Sequence, residues 1–359
     1  MSIELHFTED DWARSAADWA AWWAGELPRP LVMIQGWQPA PGAARPGAPW
    51  FVNHLPCDMP ADQVIDIYQT DLEATRCYGD AWPKWWPNLG PGGIAAFLGS
   101  EVCVGPDTVW FEPIAAAGIA DLRLAYNGGN AWWQRVRELT RTAVQRWGRA
   151  VCVGFTDLGG NLDILAHLRS TQPLLLDLLD APDEVAGVLG EITRLWLRYY
   201  DELYAIVAPA GRGTSPWAAI WSSGRCYMLQ SDFSYMISPK MFERFVAPDL
   251  AACCAKLDHA FYHLDGKGQI SHLDVLLAIE GLHGIQWIPG AGAPPPEEWL
   301  PLLKRIRDAG KLCQLYVSPP GARAIVKALG GRGFAFYITE AMSQDTAQDF
   351  LATLARERP

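Results

Sequence analysis

The stretch Phe261-Tyr262-His263-Leu264-Asp265-Gly266-Lys267-Gly268 runs from apolar and aromatic residues into a His, an Asp and a Gly-Lys-Gly turn. A helical segment, 269–279, follows it, and then the apolar run Gly284-Ile285-Gln286-Trp287-Ile288. The order is strand, polar turn, helix, strand. In a barrel built from such units, polar residues at the downstream end of a strand face the catalytic mouth. His263 and Asp265 stand two positions apart, so alternation places both side chains on one face of the strand.

Downstream the alternation continues. Apolar strands are expected at 312–317 and 333–338, with helices at 297–309, 320–329 and 343–356. Crossovers of this kind make parallel strands, buried on both faces. Upstream, a helix is expected over 239–256, with Pro239 fitting its first turn. Strands read at 150–155 and 218–221, with a short one at 227–230, and helices at 131–147, 161–169 and 182–207. Toward the N-terminus, Trp12, Ala16, Trp19, Ala20 and Trp23 have helical spacing over 9–25, with Asp10 or Asp11 to cap the start and Gly25 the end. A strand at 31–37, a loop at 38–49, an extended piece at 51–54, a helix at 60–78 and a hairpin at 102–104 and 108–112 complete the pattern. There is no GxGxxG after a strand and no P-loop signature. Gly290-Ala291-Gly292 lacks the third glycine and runs into three prolines. About eight candidate strands in 359 residues favour a closed (β/α)8 TIM barrel, an α/β fold. It is expected as one domain, 1–359, in which 1–125 form a helical, Trp-rich N-terminal extension and an inserted hairpin.

Composition excludes several functions. The net charge is −11 and charged residues make up 19% of the chain, with no Lys/Arg cluster, so nucleic acid is a poor partner. No apolar run approaches the ~18–20 residues of a membrane span. The first residues lack a basic region followed by an apolar one, so a cytoplasmic protein without a signal peptide is expected. The eight cysteines form no CxxC and read as reduced, mostly buried thiols. The eighteen tryptophans, crowded toward the N-terminus, read either as aromatic packing of a cap or as a pocket for a flat ligand.

The succession Gln230-Ser231-Asp232-Phe233-Ser234-Tyr235-Met236-Ile237-Ser238-Pro239, then Phe242 and Phe245-Val246-Ala247-Pro248, then Tyr262-His263-Leu264-Asp265-Gly266, resembles the uroporphyrinogen decarboxylase superfamily. That superfamily includes corrinoid and coenzyme M methyltransferases and is related to cobalamin-independent methionine synthase. The resemblance covers roughly 150–359. Trp22-Trp23-Ala24-Gly25-Glu26-Leu27 with Arg29-Pro30 also resembles uncharacterised members. It implies a (β/α)8 barrel. Two departures stand out. The Arg-Gln-Ala-Gly-Arg segment that grips porphyrin carboxylates in the decarboxylases is absent. The methyltransferases' zinc motif, His-x-Cys with a distant Cys, is matched at His263, but Asp265 stands at the Cys position and Thr339-Glu340 where the second Cys is expected. His263, Asp265 and Glu340 then form a harder nitrogen and oxygen set for zinc or iron.

Beside this, each residue has its own reading. His263 and Asp265 are metal ligands or an acid/base pair, or else a strand-end bond. Asp232, among aromatics, is expected to have a raised pKa suited to proton transfer or to a cationic group. Asp157 and Asn161 flank Gly159-Gly160 and either meet substrate or cap a helix. Gln230, Gln286, Trp287, Tyr316 and Trp221 are expected to line the mouth, and Arg225 to pair an anionic group. Asp265-Gly266-Lys267-Gly268 leads into a helix start, a place where anions bind. His272 and His283 read as surface or packing residues. The first expectation is a methyltransferase acting on a small molecule, with zinc or iron or a corrinoid carried by a partner protein, the Trp-rich part covering the mouth, and a homodimer as the candidate assembly. The alternative is a cofactor-free decarboxylase of a small aromatic or pyrrolic acid. A third is a non-catalytic ligand-binding barrel.

Overall fold

The computed structural model describes residues 3–39, 47–113 and 118–357. Most of the loop expected at 38–49 lies outside them. The described residues form an α/β fold of thirteen α-helices and eleven strands: β1 (Leu31–Trp37), β2 (Thr75–Gly79), β3 (Lys84–Trp85), β4 (Glu101–Val104), β5 (Val109–Glu112), β6 (Cys152–Val153), β7 (Cys226–Leu229), β8 (His259–Asp265), β9 (Leu282–Ile288), β10 (Leu312–Val317) and β11 (Phe334–Ile338). The central sheet runs β2-β1-β11-β10-β9-β8-β7. Every pairing in it is parallel except that of β2, which lies antiparallel on β1 at the edge. β4 and β5 make the expected hairpin.

The expected closed barrel is corrected: the hydrogen-bonded sheet does not close. β3 and β6 are two residues each and pair only with one another. The strand expected at 218–221 is absent. There the carbonyls of Pro216 and Ala218 accept from the Lys84 ammonium, and Ser215 O accepts from Phe155 N–H at 3.0 Å. A segment whose carbonyls are spent on a side chain has no ladder to offer. Three further boundaries moved. The helix expected over 60–78 ends at Ala74, and the chain turns into β2. Val52–His54 form a single 3-10 turn in place of an extended piece. The helix expected over 239–256 breaks at Val246, because Pro248 supplies no N–H to continue it, and restarts as Ala247–Cys254.

Along the long strands the side chains alternate between two cores. Tyr262, Leu264, Ile285, Trp287, Cys313, Leu315, Phe334 and Phe336 belong to the large core under the helices. Met33, Met228, Phe261, Leu312 and Ala335 face the other way and join a second core with the N-terminal tryptophans. Gly284 stands opposite Phe261; a Cβ there would lie 2.2 Å from the phenyl ring, so the missing side chain makes room for the large one.

The helix Glu9–Trp23 closes this second core. Its cap is Thr8, not Asp10 or Asp11: Thr8 Oγ1 accepts from Asp11 N–H at 3.2 Å, and Asp11 accepts from Thr8 N–H at 2.9 Å. Trp19 and Trp22 are fully buried. Trp23 stacks on His259, the first residue of β8, at 4.3 Å, and its Nε1 donates to Trp221 O at 2.9 Å. The tryptophans of this helix therefore seal the amino end of the parallel strands. The expectation that they cover the mouth is overturned, and the packing reading holds for them.

Candidate functional site

Toward the carboxyl ends of the strands the face that carries Phe261 turns polar. Strand register sets His263 beside Gln286 and Gln286 beside Gln314. Tyr316 lies beside Tyr337, rings 5.2 Å apart, and Tyr337 Oη donates to Gln35 at 2.9 Å. The His263 Nδ1 meets Gln286 Oε1, and Gln286 Nε2 donates to Gln314 Oε1. The Tyr316 hydroxyl is hydrogen-bonded to the Gln286 side chain and the Ala219 backbone. Burial raises the Tyr316 pKa above its ordinary value. Trp217 packs edge-on against the His263 ring at 5.1 Å.

Asp232 reaches this row from the next loop. It opens the 3-10 turn Asp232–Met236 after β7. One ligand atom from each of Asp232, His263 and Asp265 lies within 4.8 Å of the others. Asp232 is exposed at the surface of the site, and partial desolvation of its carboxyl raises its pKa; His263 opposes the rise and Asp265 adds to it. The turn is held from below by Asp163, whose carboxylate accepts from Asp232 N–H at 3.0 Å and Phe233 N–H at 2.7 Å. Burial drives the Asp163 pKa well above the usual carboxylate range, and the nearby Asp232 charge adds to that. Asp157 sits beyond it. It accepts from Gly159 N–H at 2.8 Å and from the Gln230 amide, and burial takes its pKa to about 7, with Asp232 pushing the same way. Gln230 Oε1 and Ser231 Oγ are buried without a hydrogen-bond partner.

The Asp-Gly-Lys-Gly turn is shaped by backbone needs. Gly266 adopts φ +76°, and a Cβ on Gly268 would lie 2.6 Å from the Tyr235 ring. Lys267 is exposed on that turn.

Of the sequence candidates, Asp232, His263, Asp265, Gln286 and Tyr316 come together, with Gln230 and Asp157 adjoining. Trp287 does not join them. It follows Gln286 directly, so it points to the opposite face and packs against Trp299 at 5.0 Å. Trp221 and Arg225 precede β7 and lie at its amino end. Trp221 Nε1 donates to Arg212 O at 2.7 Å, and Arg225 pairs with Asp201 at 2.7 Å and stacks on Tyr204. Asn161 turns its amide to Phe245 O in the helix layer, at 3.4 Å. Glu340 is exposed and outside the Asp232–His263–Asp265 group. His272 is a packing residue, stacked on Phe242 at 4.5 Å. The residues missed by sequence reading are Asp163, Trp217 and Gln314.

Together these features define an α/β protein with a mostly parallel sheet and a polar, carboxylate-rich site at the carboxyl ends of its strands. No protein-family model and no curated protein matches the chain. Among solved structures, the fold is similar to that of a methyltransferase from Methanosarcina mazei, with a TM-score of 0.60 and 13% sequence identity, over 98% of this chain and 99% of that one. At that identity the likeness is one of fold. Among the described residues no helix is long and apolar enough to cross a membrane.

Proposed function

We propose that the chain is a methyltransferase for a small molecule, with a divalent cation held by Asp232, His263 and Asp265. One observation carries this. One ligand atom each from Asp232, His263 and Asp265 lies within 4.8 Å of the others, and His263 Nδ1 meets Gln286 Oε1, so a neutral ring that donates there leaves its second nitrogen free to ligate. Two carboxylates and an imidazole this close together are stabilised by a cation that they share. The nitrogen and oxygen set suits zinc or iron, and Gln286 is the outer partner that such a histidine ordinarily has. A cation bound there supplies Lewis acidity, lowering the pKa of an acceptor heteroatom.

The chain's own groups then have defined tasks. Trp217 packs edge-on against His263 and holds its ring in place. Asp163 fixes the turn that carries Asp232. Asp157, with a pKa near 7, takes the proton that the acceptor loses as its lone pair forms the bond to the methyl carbon and the donor's bond to that carbon breaks. The fold likeness to a methyltransferase supports the same reaction class.

Asp157 also favours a second reading, a decarboxylase in which it protonates the carbon that has lost carbon dioxide. A substrate carboxylate would need a cationic partner. Arg225 is committed to Asp201 elsewhere and Lys84 to backbone carbonyls, which leaves Lys267, exposed on the turn after Asp265, for that part. The first reading is preferred because it uses Asp232, His263 and Asp265 together.

The test is zinc and iron binding to wild type, His263→Ala and Asp265→Asn by equilibrium dialysis. Wild type is expected to hold one ion per chain, and each variant to lose at least tenfold in affinity. A wild-type protein that holds neither ion at micromolar concentration sinks the proposal and leaves the decarboxylase.

A further inference from the structure

We infer that Gln286 and Gln314 are positioning residues that select the tautomer of His263, and so decide whether the site accepts a cation; this rests on the metal reading above. A neutral imidazole carries one proton, and the partner of one nitrogen dictates the state of the other. A primary amide can present either its oxygen or its N–H to Nδ1. An amide oxygen there holds the proton on Nδ1 and leaves Nε2 free to ligate. An N–H there would reverse the tautomer, and Nε2–H would donate to a carboxylate, filling the place of the ion.

The surroundings of Gln286 set its direction. Gln286 is fully buried, so rotation of its amide has to exchange every bond it makes. On one side is His263. On the other are Gln314 Oε1, which accepts from Nε2, and the Tyr316 oxygen, also hydrogen-bonded to Gln286. In this arrangement the two hydrogens of Nε2 face two oxygens, and the amide oxygen faces the histidine. Gln314 is itself fully buried, with its Nε2 unpartnered. The far end of the relay is thus a second amide that presents its oxygen to the first. His263, Gln286 and Gln314 are neighbours in register on β8, β9 and β10, so three rigid strands hold the relay.

The experiment reads the tautomer directly. Long-range proton–nitrogen NMR on metal-free, nitrogen-15-labelled protein, with the His263 signals assigned by their loss in His263→Ala, is expected to show Nδ1–H. Zinc affinity is measured in parallel for Gln286→Met, Gln286→Glu and Gln314→Glu. Glutamate at 286 still accepts from Nδ1–H, and at 314 it still accepts from Gln286, so both should bind zinc within about threefold of wild type. Methionine at 286 keeps the volume, removes the acceptor, and should weaken zinc about 10–100-fold with mixed tautomers. An Nε2–H signal in wild type, or zinc affinity unchanged in Gln286→Met, overturns the relay. An Nδ1–H signal in a protein that fails to bind zinc supports the relay while sinking the cation reading, so the two can fail separately.

Discussion

Lys84→Met removes the side chain that ties β3 to the segment 216–218. The Lys84 Nζ donates to Pro216 O and, at 2.7 Å, to Ala218 O. Methionine keeps most of the aliphatic stem and takes away both donors. Each carbonyl keeps a second donor, Ile220 N–H at 3.0 Å on Ala218 O and Ser215 Oγ at 3.3 Å on Pro216 O, so the loss is that of two hydrogen bonds at about 0.5–1.5 kcal/mol each. Part of that is returned because a polar amine no longer has to be buried, leaving a net loss of about 1–2 kcal/mol. At roughly 2 °C per kcal/mol for a large domain, the melting temperature should fall by about 2–4 °C at pH 7.5. A pH series separates this from simple loss of packing. Burial lowers the Lys84 pKa from its ordinary value to about 7. Between about 7 and the unfolded value near 10.5 the unfolded chain binds the extra proton, so wild-type stability rises with pH across that window. Lys84→Met should lack that rise. Since Trp217 rides on the same segment and packs on His263, zinc affinity should weaken as well. A melting temperature within about 1 °C of wild type, or identical pH slopes, would refute this account of how β3 is tied to that segment.

Two further outcomes follow from the second core. Burial, helped by the neighbouring His283 and opposed by Asp258, takes the His259 pKa down to about 4. Its unfolded value lies near 6.5, so from pH 6.5 down to about 4 the unfolded chain takes up the proton and stability is lost; above 6.5 it is fully present. Because the ring is only half-buried, the screened loss is about 1–2 kcal/mol. Urea midpoints at pH 5 and pH 7 should differ less in His259→Phe than in wild type, and an unchanged difference would exclude His259 as the cause. Gly284→Ala places a methyl against the Phe261 ring and the Leu312 carbonyl, at 2.2 and 2.5 Å before any shift. Overpacking there should cost about 1–3 kcal/mol or more, seen as a lower thermal midpoint; adding Phe261→Leu should recover part of it.

Long, uninterrupted periods were the legible part of the fold. Helices Ala131–Trp147 and Pro182–Val207 and strand β10 fall where the sequence pattern places them. The run Ala218-Ala219-Ile220-Trp221 looked like a strand because apolarity says nothing about where carbonyls go, and Lys84 lies more than 130 residues away. β2 was hidden inside a helical reading because its ladder partner, β1, is about 40 residues upstream. At the site, spacing by two identified His263 with Asp265. The same rule, applied strictly, forbids Gln286 and Trp287 from sharing a face, and it would have found Gln314, level with Gln286, on an apolar strand. Asp163 had a weaker signal, an acid among Leu162, Ile164 and Leu165 at a helix start. Its meeting with Asp232 spans 69 residues, and no local pattern encodes it.

The seal at the amino end of the strands also has a consequence for synthesis. Trp23 finds its carbonyl partner on Trp221, 198 residues later. At translation rates of about 5–20 residues per second, the indole face of the first helix waits on the order of 10–40 s before its docking surface exists. During that interval four tryptophans on one short amphipathic segment are an obvious client for a chaperone, so the part of the chain that is best buried at the end is the most exposed at the beginning.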